Sequence, residues 1–389
     1  MEKNQRLEML QGIQNIKIAF DPGSSVTKVV YQIDSNKPCV LLMEPEVIKV
    51  PVESVEQRTY SSAGVVTPVN DAWLKFRARD DNCFAVGFLA QQFKASIQLD
   101  QLKYEAAIVK ALATIGAVVQ REALKESVDV HLAVLLPLGE FADKEKFKEQ
   151  LTKQARHIHF RDQHIQPNLE SLMVSPEGSG FAMKLLREKG QDWFVRREAV
   201  CSLMLGHRNS SLLTFNHGQI DMNASSTTDL GFVQLVDKVI EKTSGQSRQS
   251  LTRTIYEIGN NISTENILLR SLAKSKQPKN IETEVDQIAS AIKIAKQEYW
   301  QLLKEWLDGI LPTRIDSLCI GGGAGYYLRH EIKSHLGWAN PSWSTRDMAN
   351  TITDAVNQFE DPSLKHRLID VWNIFSESFE SIIESDRVA

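Results

Sequence analysis

The stretch IAFDPGSSVTKVV (residues 18–30) sets an acid, a tight turn, three hydroxyls and one lysine between two apolar runs. Asp21, Gly23, Ser24, Ser25, Thr27 and Lys28 together have what a polyphosphate requires. Those requirements are approachable backbone N–H groups, hydroxyl donors, a cation, and a carboxylate able to hold hydrated magnesium. Asp21 ends a strand, where its carboxylate can face a metal-bound water; Gly23 lets the backbone come close, and Lys28 brings charge. A hairpin with a capped turn accounts for the same residues without any ligand, and both readings stand at this point.

A second stretch of this kind is IGGGAG (320–325), with Gly321, Gly322 and Gly323 in a row before Ala324. Consecutive glycines cost conformational entropy, so something must require backbone there. A nucleoside or α-phosphate lying on the loop is one reason, and a tight strand-to-helix turn is the other. No GxxxxGK[ST] run is present and no GxGxxG opens a βαβ unit near the N-terminus, which excludes the two familiar phosphate-binding fingerprints. HIHFRDQH (157–164) lies in charged, loop-like sequence and reads as an incidental histidine cluster rather than a metal site.

The elements that must position these residues follow from periodicity. IKIAF (16–20) and VTKVVYQI (26–33) are strands split by the Pro-Gly turn, and 35–100 reads as a smaller α+β insertion. Residues 102–119 place Ile108, Leu112, Ile115 and Val119 at helical spacing. VDVHLAVLLP (128–137) has the continuous apolar character of a strand covered on both faces, and DKEKFKEQLTKQA follows as a solvated helix. A second half repeats the theme: EAVCSLMLG (198–206), the turn HRNS, SLLTF (211–215), then a helix stopped at Gly245. A long helix spans 285–310, KSKQPKN (274–280) reads as an exposed loop, and a strand leads into the glycine loop. In the tail, Phe375, Phe379 and Ile382 or Ile383 line one helical face, as expected of a docked terminal helix or, alternatively, a partner-binding one.

The chain has 389 residues, 42% of them hydrophobic and 24% charged, enough for about two or three domains with real cores. A net charge of −4 gives no global attraction to nucleic acid or anionic membrane. Cys39, Cys83, Cys201 and Cys319 lie far apart with no CxxC pair, as in a reduced intracellular chain. The polar start MEKNQRLEMLQG is no signal peptide, and no apolar run reaches the roughly 18 residues of a spanning helix. The expectation is a cytoplasmic, multidomain α/β protein without a transmembrane segment.

The order of these features resembles the actin-like ATPase superfamily: an acid–glycine–hydroxyl hairpin near residue 20, a turn near 206 and a glycine triplet near 321. Within it, VGFLA (86–90), LAVLLPLGEF (132–141), VSPEGSGFA (174–182) and CIGGGA (319–324) are similar to the bacterial plasmid-segregation actins, the ParM/StbA group. The resemblance implies an α/β, actin-like (ribonuclease H-like) fold with a nucleotide cleft between two lobes. The lobes would be 1–172, with the insertion at about 37–100, and 173–355, with a helical segment at 356–389 packing back on the first. It implies ATP (or GTP) with Mg2+, Asp21 toward the metal through water, Lys28 toward the phosphates, and 321–324 as the adenosine loop. Glu177, at the start of the segment joining the halves, would orient the attacking water beyond the γ-phosphate. An acid placed near a helix N-terminus for the sake of the dipole is the plainer reading of Glu177.

The pattern breaks at the second phosphate loop, where the superfamily carries Asp-x-Gly. Here the sequence reads Met204, Leu205, Gly206, His207, Arg208, Asn209. A thioether is a poor ligand for a hard dication. Either Arg208 replaces metal-mediated neutralisation with a guanidinium fork, or the loop serves a scaffold in which hydrolysis is slow. The resemblance implies a homopolymeric filament that reaches plasmid DNA through a DNA-binding or other adaptor protein, with no direct nucleic-acid contact. The competitors are a small-molecule kinase of the same superfamily, for which only Glu177 offers a base, and a non-hydrolysing scaffold filament. A chaperone-like ATPase is discounted because the chain leaves no room for a peptide-binding module.

Overall fold

The computed structural model describes residues 14–61, 67–95, 103–343, 352, 355–356 and 367–379. The chain divides into two compact units, one from the N-terminal part to Glu188 and again from Thr345 on, the other Lys189–Ser344.

The first unit is organised by β1 (Gln14–Asp21), whose Ile16, Ile18, Ala19 and Phe20 are fully buried. It turns back into β2 (Thr27–Ile33), which pairs antiparallel with β1 and with β3 (Cys39–Met43). Four short pieces follow: β4 (Val47–Pro51), α1 (Val52–Ser61), β5 (Trp73–Lys75) and β6 (Asn82–Val86). Helix α2 (Lys103–Arg121) is buried on every side from Ala107 to Val119, so it is a core helix rather than a one-faced cover for the sheet. β7 (Ser127–Leu136) then enters beside β1, in parallel.

After α3 (Lys144–Ala155), the run HIHFRDQH is a hairpin rather than a loop. β8 (Ile158–Phe160) pairs antiparallel with the start of β9 (Gln163–Pro176), with His159 opposite His164. Only Ile158, Phe160 and Ile165 are buried there, too short an alternation to stand out in sequence. β9 also pairs in parallel with β7, so one strand completes a nine-stranded order β3-β2-β1-β7-β9-β8-β5-β6-β4. α4 (Ser179–Lys189) follows immediately.

The second unit repeats the hairpin-plus-parallel-strand arrangement. β10 (Val200–Leu205) pairs antiparallel with β11 (Ser210–Asn216), and β12 (Gln219–Ile220) and β13 (Ser226–Thr228) add to β11. Helices α5 (Phe232–Glu241), α6 (Arg248–Ile258) and α7 (Pro278–Ile310) cover the sheet. α5 stops at Glu241, ahead of Gly245. Pro278 and the two residues after it belong to the first turn of α7, not to an exposed loop, because the fixed φ of proline suits the first helical position. β14 (Ser317–Gly321) joins β10 in parallel and carries β15 (Ser342–Trp343) on its far side, with α8 (Gly323–Tyr327) and α9 (Arg329–Leu336) between them in sequence.

The last described helix, α10 (Ile369–Ser378), packs on β1, β2 and β7 of the first unit and buries Phe375 and Phe379. Ile382 and Ile383, and most of the 356–389 segment, lie outside the described residues. Among those described, no helix is long and apolar enough to cross a membrane.

Ile18 and Leu203 are each fully buried in an interior strand of their unit's sheet. Truncating either should destabilise its unit by about 2–5 kcal/mol, the usual range for a large-to-alanine change in a core. Urea unfolding of Ile18→Ala and Leu203→Ala followed by circular dichroism checks this; a shift under about 1 kcal/mol in both would contradict the assigned cores.

Candidate functional site

In the first unit the parallel strands β1, β7 and β9 bring Asp21, Leu136 and Pro176 to one sheet edge, the carboxyl ends where α/β folds present their functional loops. Asp21 and Lys28 are cross-strand partners at the neck of the β1–β2 hairpin, and the Lys28 ammonium closes on Asp21 Oδ2 as an ion pair. The other carboxylate oxygen, Asp21 Oδ1, is buried without a hydrogen-bond partner, as is the Thr27 hydroxyl. Ser24 is buried and Ser25 half-buried. Gly23 is required for space: a Cβ there would lie 2.5 Å from the Val26 carbonyl oxygen.

Two groups from elsewhere hold this turn and a third lies near it; none was singled out by sequence. The buried Lys110 of α2 donates to the Pro22 carbonyl at 3.1 Å. Arg367 donates to the Ser25 hydroxyl. Asp370 of α10, only 2% exposed, lies close enough to Asp21 and Lys28 to be influenced by both charges. Lys110 and Asp370 were legible only as oddities, a lysine in AAIVKALA and an acid in LIDVW, each inside an otherwise apolar run.

Glu177 follows β9 directly, is buried, and donates its backbone N–H to the Leu136 carbonyl at 2.7 Å. The next turn is held by Asp370, whose Oδ2 accepts from Gly178 N–H at 2.7 Å and Oδ1 from Gly180 N–H at 2.8 Å. The carboxylate thus satisfies N–H groups that the first turn of α4 leaves open, at its positive end. The structure therefore gathers Asp21, Gly23, Ser24, Ser25, Thr27, Lys28 and Glu177 at one edge of the first unit, with Asp370 holding the Glu177 loop and Arg367 the hairpin.

The second unit brings its two predicted loops together. Gly321 and Met204 are parallel neighbours, and the Gly206–Asn209 turn caps the same end of β10. Gly206 N–H donates to the Asn209 carbonyl at 2.9 Å, and Asn209 Nδ2 to Asp229 at 2.8 Å. The carbonyls of Gly206 and His207 accept from the N–H groups of Phe232 and Val233, so the turn itself satisfies the start of α5. Met204 is 9% exposed, facing Ser211 across the ladder. Gly322 has φ +85°, and a Cβ there would sit 2.2 Å from the Leu205 carbonyl oxygen. The tight strand-to-helix turn alone accounts for glycine at that position. Gly323 and Ala324 open α8.

Beside that loop is a cavity of about 400 Å³, lined by Tyr256, Gly259 and Asn260 from the end of α6 and by Tyr326, Arg329 and Lys333 from α8 and α9. Deeper in the same region the Lys296 ammonium pairs with Glu331 at 2.6 Å and lies 5.0 Å from the Tyr327 ring centroid. These residues gave no sequence signal because they come from helices whose other faces are ordinary core. Among the described residues no group of three or more His, Cys, Asp or Glu side chains is arranged to hold a metal ion, although His157 and His159 both pack against His164.

Burial pushes the Asp370 carboxyl up from 3.8 to about 7, with Asp21's negative charge adding and the two amide hydrogen bonds opposing. The folded chain therefore holds this proton more tightly than the unfolded one. That contribution to stability is complete below about pH 3.8 and is lost as the pH rises through about 7. Asp370→Asn cannot titrate, so the stability of the wild type relative to this variant should fall between pH 4 and pH 7.5. Thermal unfolding across that range checks it; a constant difference contradicts the assignment.

Residues 19–180 match the family described as actin like proteins N terminal domain. No curated protein sequence matches the chain. Among solved structures it is similar to a 15-stranded ParM filament from Clostridium botulinum, at 13% identity over 92% of this chain and 98% of that one, with a TM-score of 0.57. Bacillus thuringiensis ParM with AMPPNP is similar at 12% identity, covering 94% and 99%, with a TM-score of 0.57. The archaeal actin homologue Ta0583 in complex with ADP is similar at 14% identity, covering 94% and 99%, with a TM-score of 0.55. The matched segment contains the β1–β2 turn, β2 and Glu177, and the similarity in structure runs over nearly the whole chain. The chain has the actin-like fold, and its residues 19–180 are similar to the N-terminal domain of actin-like proteins.

Proposed function

We propose that the chain is an ATP-binding, actin-like protein that assembles into filaments and hydrolyses its nucleotide slowly. The observation that carries the reading is the β1–β2 neck, where Asp21 Oδ1 and the Thr27 hydroxyl are buried and unpartnered beside the Lys28 ammonium. Buried polar atoms are ordinarily satisfied, so two orphans in one turn fit a ligand that supplies donors and charge. Asp21 Oδ1 is the right kind of oxygen for a water of hydrated magnesium, and Lys28, Ser24 and Ser25 suit phosphate oxygens. Magnesium, when bound, neutralises charge on the transferring phosphoryl group. Glu177, two strands along the same edge, would orient the attacking water.

The tyrosine-lined cavity beside Gly322 suits the flat ring of a purine, with Arg329 and Lys333 at its rim. ATP rather than GTP is the reading supported by relatives whose structures hold AMPPNP and ADP. Self-assembly is supported by the ParM filament with the same fold. Its purpose in that case would be ParM-type segregation or a related cytoskeletal role in a bacterial cytoplasm, with cargo reached through an adaptor protein.

Met204 favours a second reading, a nucleotide-bound scaffold that does not turn over. Its thioether faces Ser211 where an acid would help hold a hydrated cation, and the nearby Ser210 hydroxyl is committed to the Leu230 carbonyl at 2.6 Å.

Fluorescent-nucleotide titration, phosphate release and electron microscopy of the purified protein test both readings. Lys28→Ala should weaken MgATP binding roughly tenfold to a hundredfold, the loss expected for a charge-assisted contact. Glu177→Ala should bind ATP as well as the wild type and release phosphate about a hundredfold more slowly. Filaments that form with ATP and collapse as it is consumed support the dynamic polymer. Filaments that persist equally with ATP, ADP and a non-hydrolysable analogue support the scaffold, and absence of nucleotide binding removes both.

A further inference from the structure

Asp370 lies 190 residues from Gly180 in sequence, yet both its carboxylate oxygens are engaged by the loop that follows Glu177. A carboxylate inside an apolar run is costly to bury. Capping α4 would not need it, since a Ser, Thr or Asp within the loop does that locally. Here the residue before α4 is Gly178, and Ser179, the first helical residue, keeps a buried hydroxyl without a partner. The fit around Asp370 is also close: a Cβ on Gly180 would lie 2.2 Å from the Asp370 carbonyl oxygen and 2.7 Å from Oδ1. One turn earlier, Arg367 holds the Ser25 hydroxyl. A single stretch of chain, 367–370, therefore grips both the loop bearing Glu177 and the hairpin bearing Asp21 and Lys28.

Resting on the nucleotide site proposed above, we infer that Asp370 is a positioning residue for hydrolysis. It fixes the Gly178–Ser179–Gly180 backbone, and through it Glu177, relative to the Asp21–Lys28 hairpin, while Arg367 sets Ser25 for the phosphates. The two contacts divide the work. Asp370 bears on where the water-orienting carboxylate stands in the transition state, and Arg367 on how the ground-state nucleotide is held. Once ionised, well above pH 7, Asp370 accepts both glycine N–H bonds at once, whereas an asparagine must turn its NH2 toward one of them and lose that bond, so turnover is compared at such a pH.

Steady-state ATP turnover of the full chain, with hydrogen exchange of the amides at 178–180, tests the inference. Asp370→Asn should lower kcat about tenfold or more with KM within about threefold, and the 178–180 amides should exchange faster. Arg367→Gln should do the reverse, raising KM with kcat within about threefold. A merely structural role for α10 would lower the melting temperature of both variants and move kcat and KM in step. Wild-type turnover matched by Asp370→Asn overturns the inference and leaves the nucleotide site standing. A wild type that binds no nucleotide overturns the site reading and this inference with it. If Asp370→Asn fails to fold, Arg367→Gln decides: an unchanged KM overturns the proposal.

Discussion

The parallel ladder between β1 and β7 is the constraint on which the first unit depends. It sets Phe20 beside Val134, and the β7–β9 ladder then sets Leu136 beside Pro176. Each partner in a parallel sheet ends at the same edge, so the hairpin turn after Asp21 and the loop of Glu177 emerge together without any dedicated interaction between them. A slip of one residue in either ladder would turn Asp21 or Glu177 to the opposite face. The fully buried Ile16, Ile18, Val130, Leu132 and Val134 make such a slip unfavourable, because each would lose its place in the core.

The second unit uses the same geometry for a different surface chemistry. β10, β11 and β14 reproduce the hairpin and its parallel neighbour, but the turn between β10 and β11 is satisfied internally and by α5. Its carbonyls accept the helix N–H groups, and Ser210 and Tyr299 both donate to the Leu230 carbonyl. The β1–β2 neck, by contrast, keeps buried oxygens without partners. One arrangement is closed by its own hydrogen bonds, and the other is left with unsatisfied capacity.

How much of this was legible in the sequence follows from how local each signal is. The hairpins, α2, β7, α7 and the strand before the glycine triplet are written in runs of five or more residues with a clear period, and the structure has all of them. Asp21, Lys28 and Glu177 were visible because each sits beside its own turn. The β8–β9 hairpin was not, since its burial alternates over too few residues. Lys110, Arg367 and Asp370 act on residues between 88 and 342 positions away, and no local period encodes such a pairing. Gly322 was ambiguous for a related reason: the Leu205 backbone that demands it belongs to a strand more than a hundred residues earlier.

The first unit is built from both ends of the described chain, with residues 189–344 forming the second unit in between. A nascent polypeptide emerging from the ribosome would therefore display the β1–β2–β7–β9 framework long before α10 exists to cover it. During that interval the Gly178 and Gly180 amides would face solvent, and the apolar surface destined for Phe375 and Phe379 would be bare. The order of synthesis thus completes residues 189–344 before α10, the last described helix, is made.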